Sequence, residues 1–324
     1  MTAPAGPFDP VHPADPFDHP ALFYSGTAQY LAGTVPFIRD GLAAGEPVAV
    51  AVPGENLRLI RDELGADADA VRLLDMREAG RNPGRIIPGV LRAFADAQPP
   101  GRRVRIIGEP IWVGRSAAEY PACAQHEALI NAAFRGREVT ILCPYDTSRL
   151  TEDVLADAHA THPVVIPVGA GGKRASTAYD PEQVVARYNQ PLPPGPAFGP
   201  GVLSVTFAEE SLSSVRQLTT VQGSRLGLTG VRLDDLALIT AELTTNSVIH
   251  GGGTGRLRLW AENGHVLCEV SDRGRLTDPL AGRRPARHGM RGGRGLLMVN
   301  LLADLVRVHS TPAGTTVRCY LEPR

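Results

Sequence analysis

Aromatic residues make up only 5 % of the 324-residue chain, too few for the stacking surface that single-stranded nucleic acid requires. Charge of one sign is lacking too. The formal net charge is −1, so no global basic field points to nucleic acid or to an anionic membrane. Long apolar runs are missing: stretches such as Val48–Val52 fall far short of the ~20 residues that cross a bilayer. The opening "MTAPAGPFDPVHPADPFDHP" has neither a basic start nor an apolar core, so no secretory leader is expected and the expected setting is cytoplasmic. The four cysteines (Cys123, Cys143, Cys268, Cys319) form no CxxC pair and no ligand-like spacing, which predicts small buried thiols in a reducing compartment. A Walker phosphate loop is absent as well. "GAGGKR" from Gly169 has Arg174 where Ser or Thr should follow the lysine, and it lacks a strand-to-helix context.

What is present is enough chain for two domains, with a globular balance of 43 % hydrophobic and 21 % charged residues. Residues 1–16, rich in Pro and Asp, are expected to lie loosely on the surface. Proline and glycine concentrate again in "GAGGKRAST" and "NQPLPPGPAFGPG", around one short helix "YDPEQVVARY", so residues 169–198 read as a semi-rigid linker. Before it, residues 47–53, 71–76, 104–110 and 138–146 read as buried strands, with helices over 28–44, 84–97 and 117–134. Apolar strands alternating with helices predict an α/β domain on a parallel sheet, whose ligands gather beyond the carboxyl ends of the strands. Candidate residues for such a pocket are Glu109, Trp112, Tyr145 and Asp146 at those ends. His126, on the helix that also carries Glu127 and Asn131, joins them.

Beyond the linker the period changes. "EESLSSVRQLTTVQG" predicts a helix over 209–223 with Leu212, Val215, Leu218 and Thr219 inward and Gly223 as its stop. A second helix over 234–250 has Leu236, Ile239, Leu243 and Ser247 as its core stripe. Asn263-Gly264 predicts a hairpin, a helix follows at "GLLMVNLLAD", and a last hairpin turns at 312–314. This order predicts an α+β sandwich with helices on one face of an antiparallel sheet.

Chemistry gathers on the 234–250 helix. Glu242 and Asn246 are i,i+4 neighbours and can reach one ligand. An amide oxygen suits a hard cation such as Mg²⁺, and a carboxylate beside it can take a proton from an attacking group. Asp272, followed by Gly274, can accept from an exocyclic amine such as that of adenine. The loop "LAGRRPARHGMRGGRG" holds Arg283, Arg284, Arg287, Arg291 and Arg294, and its glycines 292, 293 and 295 run into a helix, as phosphate binding requires. Thr315 and Thr316 open a strand where a hydroxyl can meet a phosphate oxygen.

These four pieces resemble, in this order, the motifs of the GHKL (Bergerat-fold) ATPases, and most closely those of the compact anti-sigma-factor serine kinases. "ELTTNSVIHG" is similar to the N box, "DRG" to the first glycine box, "GGRGLLMV" to the second and "GTTV" to the closing threonine motif. The resemblance covers about Val202 to Glu322, within an ATPase domain expected over residues 199–324. It implies ATP and Mg²⁺ as cofactors, Glu242 as general base and Asn246 as the Mg²⁺ ligand. Asp272 and Gly274 would then sit at adenine, Gly292, Gly293, Arg294, Gly295 and Leu296 at the phosphates, and Thr315 on the nucleotide. The first box departs from the family's Asp-x-Gly-x-Gly, with Leu276 in its last position.

Residues 17–168 carry a second resemblance. "FDHPALFYSG", "GEPIW", "HEALINAAF" and "CPYD" are similar to the MEDS domain, a RecA/KaiC-like sensory module, which implies a small-molecule ligand. The expected function is a serine kinase and anti-sigma factor acting on an anti-anti-sigma (STAS-type) partner, or sequestering a sigma factor, under control of the sensory domain. The family also suggests a homodimer. The first ATPase-domain helix, with Arg216 exposed, is where contacts to the STAS or sigma partner are expected. A non-catalytic nucleotide- or partner-binding switch is the alternative. An orphan histidine kinase is a third reading, weakened because "YNQPLPPGPAFGPG" cannot form the phospho-acceptor helix.

Overall fold

The computed structural model describes residues 15–167, 172–286 and 293–323, and divides the chain into two compact units, Met1–Tyr188 and Asn189–Arg324. The first runs β1 (Pro20–Tyr24), α1 (Gly26–Ala43), β2 (Val48–Val52), α2 (Gly54–Leu64), β3 (Arg72–Asp75), α3 (Met76–Ala79) and α4 (Arg92–Asp96). It continues with β4 (Val104–Gly108), α5 (Tyr120–Phe134), β5 (Val139–Asp146), α6 (Glu152–Thr161), β6 (Val164–Ile166), β7 (Arg174–Ala175) and α7 (Pro181–Arg187). The strands lie in the order β3-β2-β4-β5-β1-β6-β7. All neighbours are parallel except β7, which runs antiparallel to β6 at one edge.

The four expected strands are present as β2 to β5. The sequence reading passed over β1, the short "PALFY", although it lies between β5 and β6 and is buried at every position. The helix expected over 84–97 is broken. A 3₁₀ turn at Pro83–Arg85 leads into a π-helical turn at Ile87–Leu91 before α4 begins. Pro88 lacks the N–H that an α-helical register would use there. The stretch expected as a linker is also more structured than its composition implied. It supplies β7 and α7, and Val184 of α7 is wholly buried against Ala124, Ala128 and Ala160.

The second unit runs β8 (Leu203–Ala208), α8 (Leu212–Arg225), α9 (Val231–His250), β9 (Thr254–Glu262), β10 (His265–Asp272), α10 (Gly295–Leu302), β11 (Leu305–Thr311) and β12 (Gly314–Leu321). Its sheet, in the order β11-β12-β10-β9-β8, is antiparallel throughout. The β9–β10 hairpin turns on Asn263 and Gly264 with φ of 50° and 78°, the left-handed pair that matches strand twist. Leu236, Ile239 and Leu243 of α9 meet Leu257, Cys268 and Val317 of the sheet in one core.

Two expectations for α8 fail. Gly223 does not stop the helix, which continues to Arg225; instead it lets α9 approach, since a Cβ there would lie 2.4 Å from Leu236 Cδ2. Leu218 is 49 % exposed because the buried stripe runs through Val215, Thr219 and Gly223, leaving 218 outside it. The opposite face of the sheet is roofed by the segment just after Tyr188. Asn189 pairs with the backbone of Ser310 (Nδ2 donating at 2.8 Å, Oδ1 accepting at 3.0 Å), and Arg318 Nη2 donates to Pro193 O at 2.8 Å. Trp260 is buried beneath this segment, with Gly195 so close that a Cβ would lie 2.6 Å from the indole.

Candidate functional site

A cavity of about 680 Å³ opens between α9, the ends of β10 and β12, and the loop leading into α10. Its volume is in the range that holds a nucleotide-sized ligand. One wall is apolar, built from Leu243, Val270, Leu276, Leu280, Leu296 and Val317. Polar groups line it too, among them Asn246 of α9, Asp272 of β10 and Arg294 before α10.

Beside this cavity α9 and α10 converge. A Cβ on Gly295, the first residue of α10, would lie 2.5 Å from Glu242 Oε2 and 3.3 Å from Asn246 Nδ2. The sequence pair Glu242/Asn246 and the second glycine motif therefore meet. The amino end of α10, with the first-turn amides and positive dipole of a helix start, faces the carboxylate and the carboxamide at a point where glycine leaves room. Asn246, Gly293, Arg294, Gly295 and Leu296 all line the cavity. Gly292, with Arg287 and Arg291, lies outside the described residues.

Asp272, the last residue of β10, lines the same cavity. Ser247 Oγ donates to its Oδ2 at 2.6 Å and the Gly274 N–H to its Oδ1 at 2.8 Å. Each oxygen keeps a lone pair, so the carboxylate is held in position and can still accept from a ligand amine. The approach is close: a Cβ on Gly274 would lie 2.5 Å from His250 O, and one on Gly251 2.4 Å from Asp272 Cγ. Side chains at either position would force the end of α9 away from β10. Thr315 lines the cavity with its hydroxyl already engaged. It lies opposite Asp272 in the ladder, and its hydroxyl donates to Gly274 O at 2.9 Å.

Three residues of this site were not read from the sequence in these roles. Ser247, a hydroxyl within an apolar stripe, orients Asp272; that anomaly was the available signal. Ser310 Oγ accepts the Leu276 N–H at 2.9 Å and lies 2.7 Å from Thr315 Oγ1, tying the departing position of the first glycine box to the last hairpin. Nothing in sequence spacing announces it. Asn300 of α10 donates to Gly282 O at 3.1 Å and holds the base of the arginine-rich loop, in which Arg284 is ion-paired with Asp278.

In the first unit a smaller cavity of about 180 Å³ lies beyond the carboxyl ends of the parallel strands. Glu109, Trp112 and Asp146 line it, together with Tyr30, Asn56 and Arg149. Glu109 is 4 % exposed, accepts from Asn56 Nδ2 at 2.9 Å on both oxygens and from Tyr30 Oη at 3.3 Å. Burial pushes its carboxyl up to about 8, helped by the negative charges of Glu55 and Asp146 and opposed by the two hydrogen bonds. At neutral pH it is mostly the neutral acid. His126 and Tyr145, expected with these residues, do not line this cavity. Both are buried, His126 on α5 and Tyr145 on β5 with its ring edge-on to His162.

Residues 18–163 match the family model of MEDS, the methanogen/methylotroph DcmR sensory domain, and residues 205–321 match that of the histidine kinase-like ATPase domain. The chain therefore carries a MEDS domain followed by a histidine kinase-like ATPase domain. Over 118 residues it is 29 % identical to the serine-protein kinase RsbW of Halalkalibacterium halodurans, an alignment spanning 33 % of this chain and 73 % of that protein. A solved structure of the RsbU and RsbW domains of a Mycobacterium tuberculosis protein aligns with 20 % identity and a TM-score of 0.29, covering 37 % of this chain and 31 % of that one.

Proposed function

We propose that the second unit is an ATP-dependent protein serine kinase, as the Halalkalibacterium relative is named, and an anti-sigma factor, as the family resemblance implies, under the control of the first unit as a sensor. The observation that carries this reading is the convergence of Glu242 and Asn246 on the amino end of α10, with Asn246, Gly295 and Asp272 lining one cavity and Glu242 beside it. The residues fit a magnesium nucleotide: an apolar wall for a base, a positioned carboxylate for an amine, helix amides for phosphates and an amide oxygen for a hard cation. Bound Mg-ATP would supply the γ-phosphoryl group and offset the charge that develops on it. Asp272, oriented by Ser247 and Gly274, selects the base. Glu242 accepts the proton of a serine hydroxyl on the partner, which the family resemblance makes an anti-anti-sigma (STAS-type) protein; the same surface would sequester a sigma factor.

The first unit, over 17–168, is in this reading a RecA/KaiC-like sensory domain whose small-molecule pocket uses Glu109, Trp112 and Asp146. Residues 169–198 connect it to an ATPase domain over 199–324. Among the described residues no helix is long and apolar enough to cross a membrane. A cytoplasmic regulator of transcription, paired as a homodimer, fits this reading.

One observation favours a second reading. Leu276 places an isobutyl group on the cavity wall where the family has glycine, as a site that binds its partner without catalysing transfer would tolerate. Phosphate transfer to a candidate STAS partner separates the two. The kinase reading predicts acid-stable serine phosphate that Glu242→Ala abolishes while ATP and partner binding persist. If the partner is bound but never phosphorylated, and Glu242→Ala changes nothing, the switch reading replaces it. Acid-labile phosphate would point instead to a histidine kinase.

A further inference from the structure

Four side chains from distant parts of the first unit meet in its interior: His19, just before β1; Glu127 on α5; Cys143 on β5; and His162, which ends α6. All four are buried, and one ligand atom from each lies within 4.8 Å of the others. Three of the separations are 3.1 Å (His162 Nε2 to Glu127 Oε2), 3.4 Å (His19 Nε2 to Cys143 Sγ) and 3.6 Å (His19 Nε2 to Glu127 Oε2). A tetrahedron about zinc, with bonds of about 2.0–2.3 Å, has edges of roughly 3.3–3.7 Å.

The outer hydrogen bonds fix what these atoms present to one another. His162 Nδ1 lies 2.8 Å from Ala158 O, which can only accept, so Nδ1 carries the proton. Asn131 Nδ2 donates to Thr161 O at 2.8 Å, which turns its Oδ1 toward His19 Nδ1 at 3.1 Å and places the proton there too. In their neutral forms both histidines therefore point bare Nε2 lone pairs at a carboxylate and a sulfur. Among the described residues, no well-directed hydrogen bond reaches either oxygen of Glu127. The Cys143 thiol hydrogen can serve one of these acceptors and the Tyr145 hydroxyl stands beside Glu127; the lone pairs that remain, facing one another in a dry interior, need positive charge between them. A backbone or amide carbonyl behind each ring is also how metal-bound histidines are held.

We propose that His19, Glu127, Cys143 and His162 form a closed four-ligand site for a divalent transition metal, zinc by its mixed N, S and O donors. With no ligand position left for water, the ion clasps β1, α5, β5 and α6 together, and its binding is coupled to folding of the unit. The site is separate from the nucleotide cavity and stands whether or not the kinase reading does.

The test is metal content and cobalt spectroscopy on the full chain. Protein produced in zinc-supplemented medium should retain about one equivalent through gel filtration, and a strong chelator should lower its unfolding temperature. The cobalt(II) form should show intense visible bands of a tetrahedral ion and a thiolate-to-cobalt band in the near ultraviolet. Cys143→Ser should erase the thiolate band, and Glu127→Gln should weaken retention tenfold or more. If a variant does not fold, the wild-type spectrum and the chelator shift decide. Folded protein that carries no metal and takes up no cobalt overturns the proposal, leaving protonated histidines paired with Glu127. Cobalt bound without a thiolate band overturns the four-ligand site.

Discussion

The cavity beside α9 and the cluster around Glu127 draw on similar side chains and are built in opposite ways. Around Asn246 the groups are partly exposed, come from four short segments in chain order, and border about 680 Å³ of open space. Around Glu127 they are buried, come from distant parts of the unit, and fall outside the cavity lined by Glu109. An exchangeable ligand needs glycines and unfilled amides where it enters, and such residues leave a local signature. A group enclosed on folding needs only donors that the sheet and helices bring together. The chain between them is free to vary, so nothing in the spacing of Cys143 marked it as a possible ligand.

The sharpest way to break the comparison is at Glu242. If the open cavity is catalytic, Glu242→Ala lowers phosphate transfer by roughly 10²–10⁴-fold with ATP affinity little changed, measured with radiolabelled ATP and a STAS partner. Equal loss of binding and transfer would make Glu242 a structural residue. Next in size is Gly274→Ala, whose Cβ would meet the backbone oxygen of His250 at 2.5 Å and push Asp272 out of register. Nucleotide affinity should fall tenfold or more, about 1.4 kcal/mol, in titration calorimetry.

Glu109 sharpens the contrast from the first unit. Its folded value near 8 lies above the ~4.3 of an unfolded glutamate, so between these values the folded state binds the extra proton. Its contribution is fully present below about pH 4.3 and is lost as pH rises through about 8. Glu109→Gln mimics the neutral acid. Relative to wild type it should gain stability across this window by up to ~1.4 kcal/mol per pH unit in urea unfolding. A flat difference would mean the carboxylate is already ionised. The smallest effect belongs to Leu218→Ser, which should change stability by no more than ~0.5 kcal/mol because the side chain is half exposed. Leu236→Ala, wholly buried, should cost about 2–5 kcal/mol in the same experiment.

Much of the second unit was legible in the sequence. Period 3.6 on α9 placed Leu236, Ile239 and Leu243 in the core, and Asn263-Gly264 marked its hairpin, because both signals are local. The candidate site was legible as separate pieces for the same reason. Ser310 was not, since its bonds to Leu276 and Thr315 exist only once β11 and β12 pair. In the first unit β1 was missed because five apolar residues opening on proline carry no period to read. The roof over Trp260 was hidden in a composition that reads as a linker. Proline and glycine there lie on the outer face of a formed sheet, where Asn189 and the carbonyl of Pro193 find partners on β11 and β12.

The central claim, that the second unit binds a magnesium nucleotide between α9 and α10, is tested most directly by titrating ATP into the full chain with and without Mg²⁺, beside Asn246→Ala. The account predicts binding to wild type that weakens tenfold or more when either the metal or the Asn246 amide is removed, and no additional loss when both are. Absence of binding at millimolar ATP, or binding indifferent to Mg²⁺ and to Asn246, would contradict it.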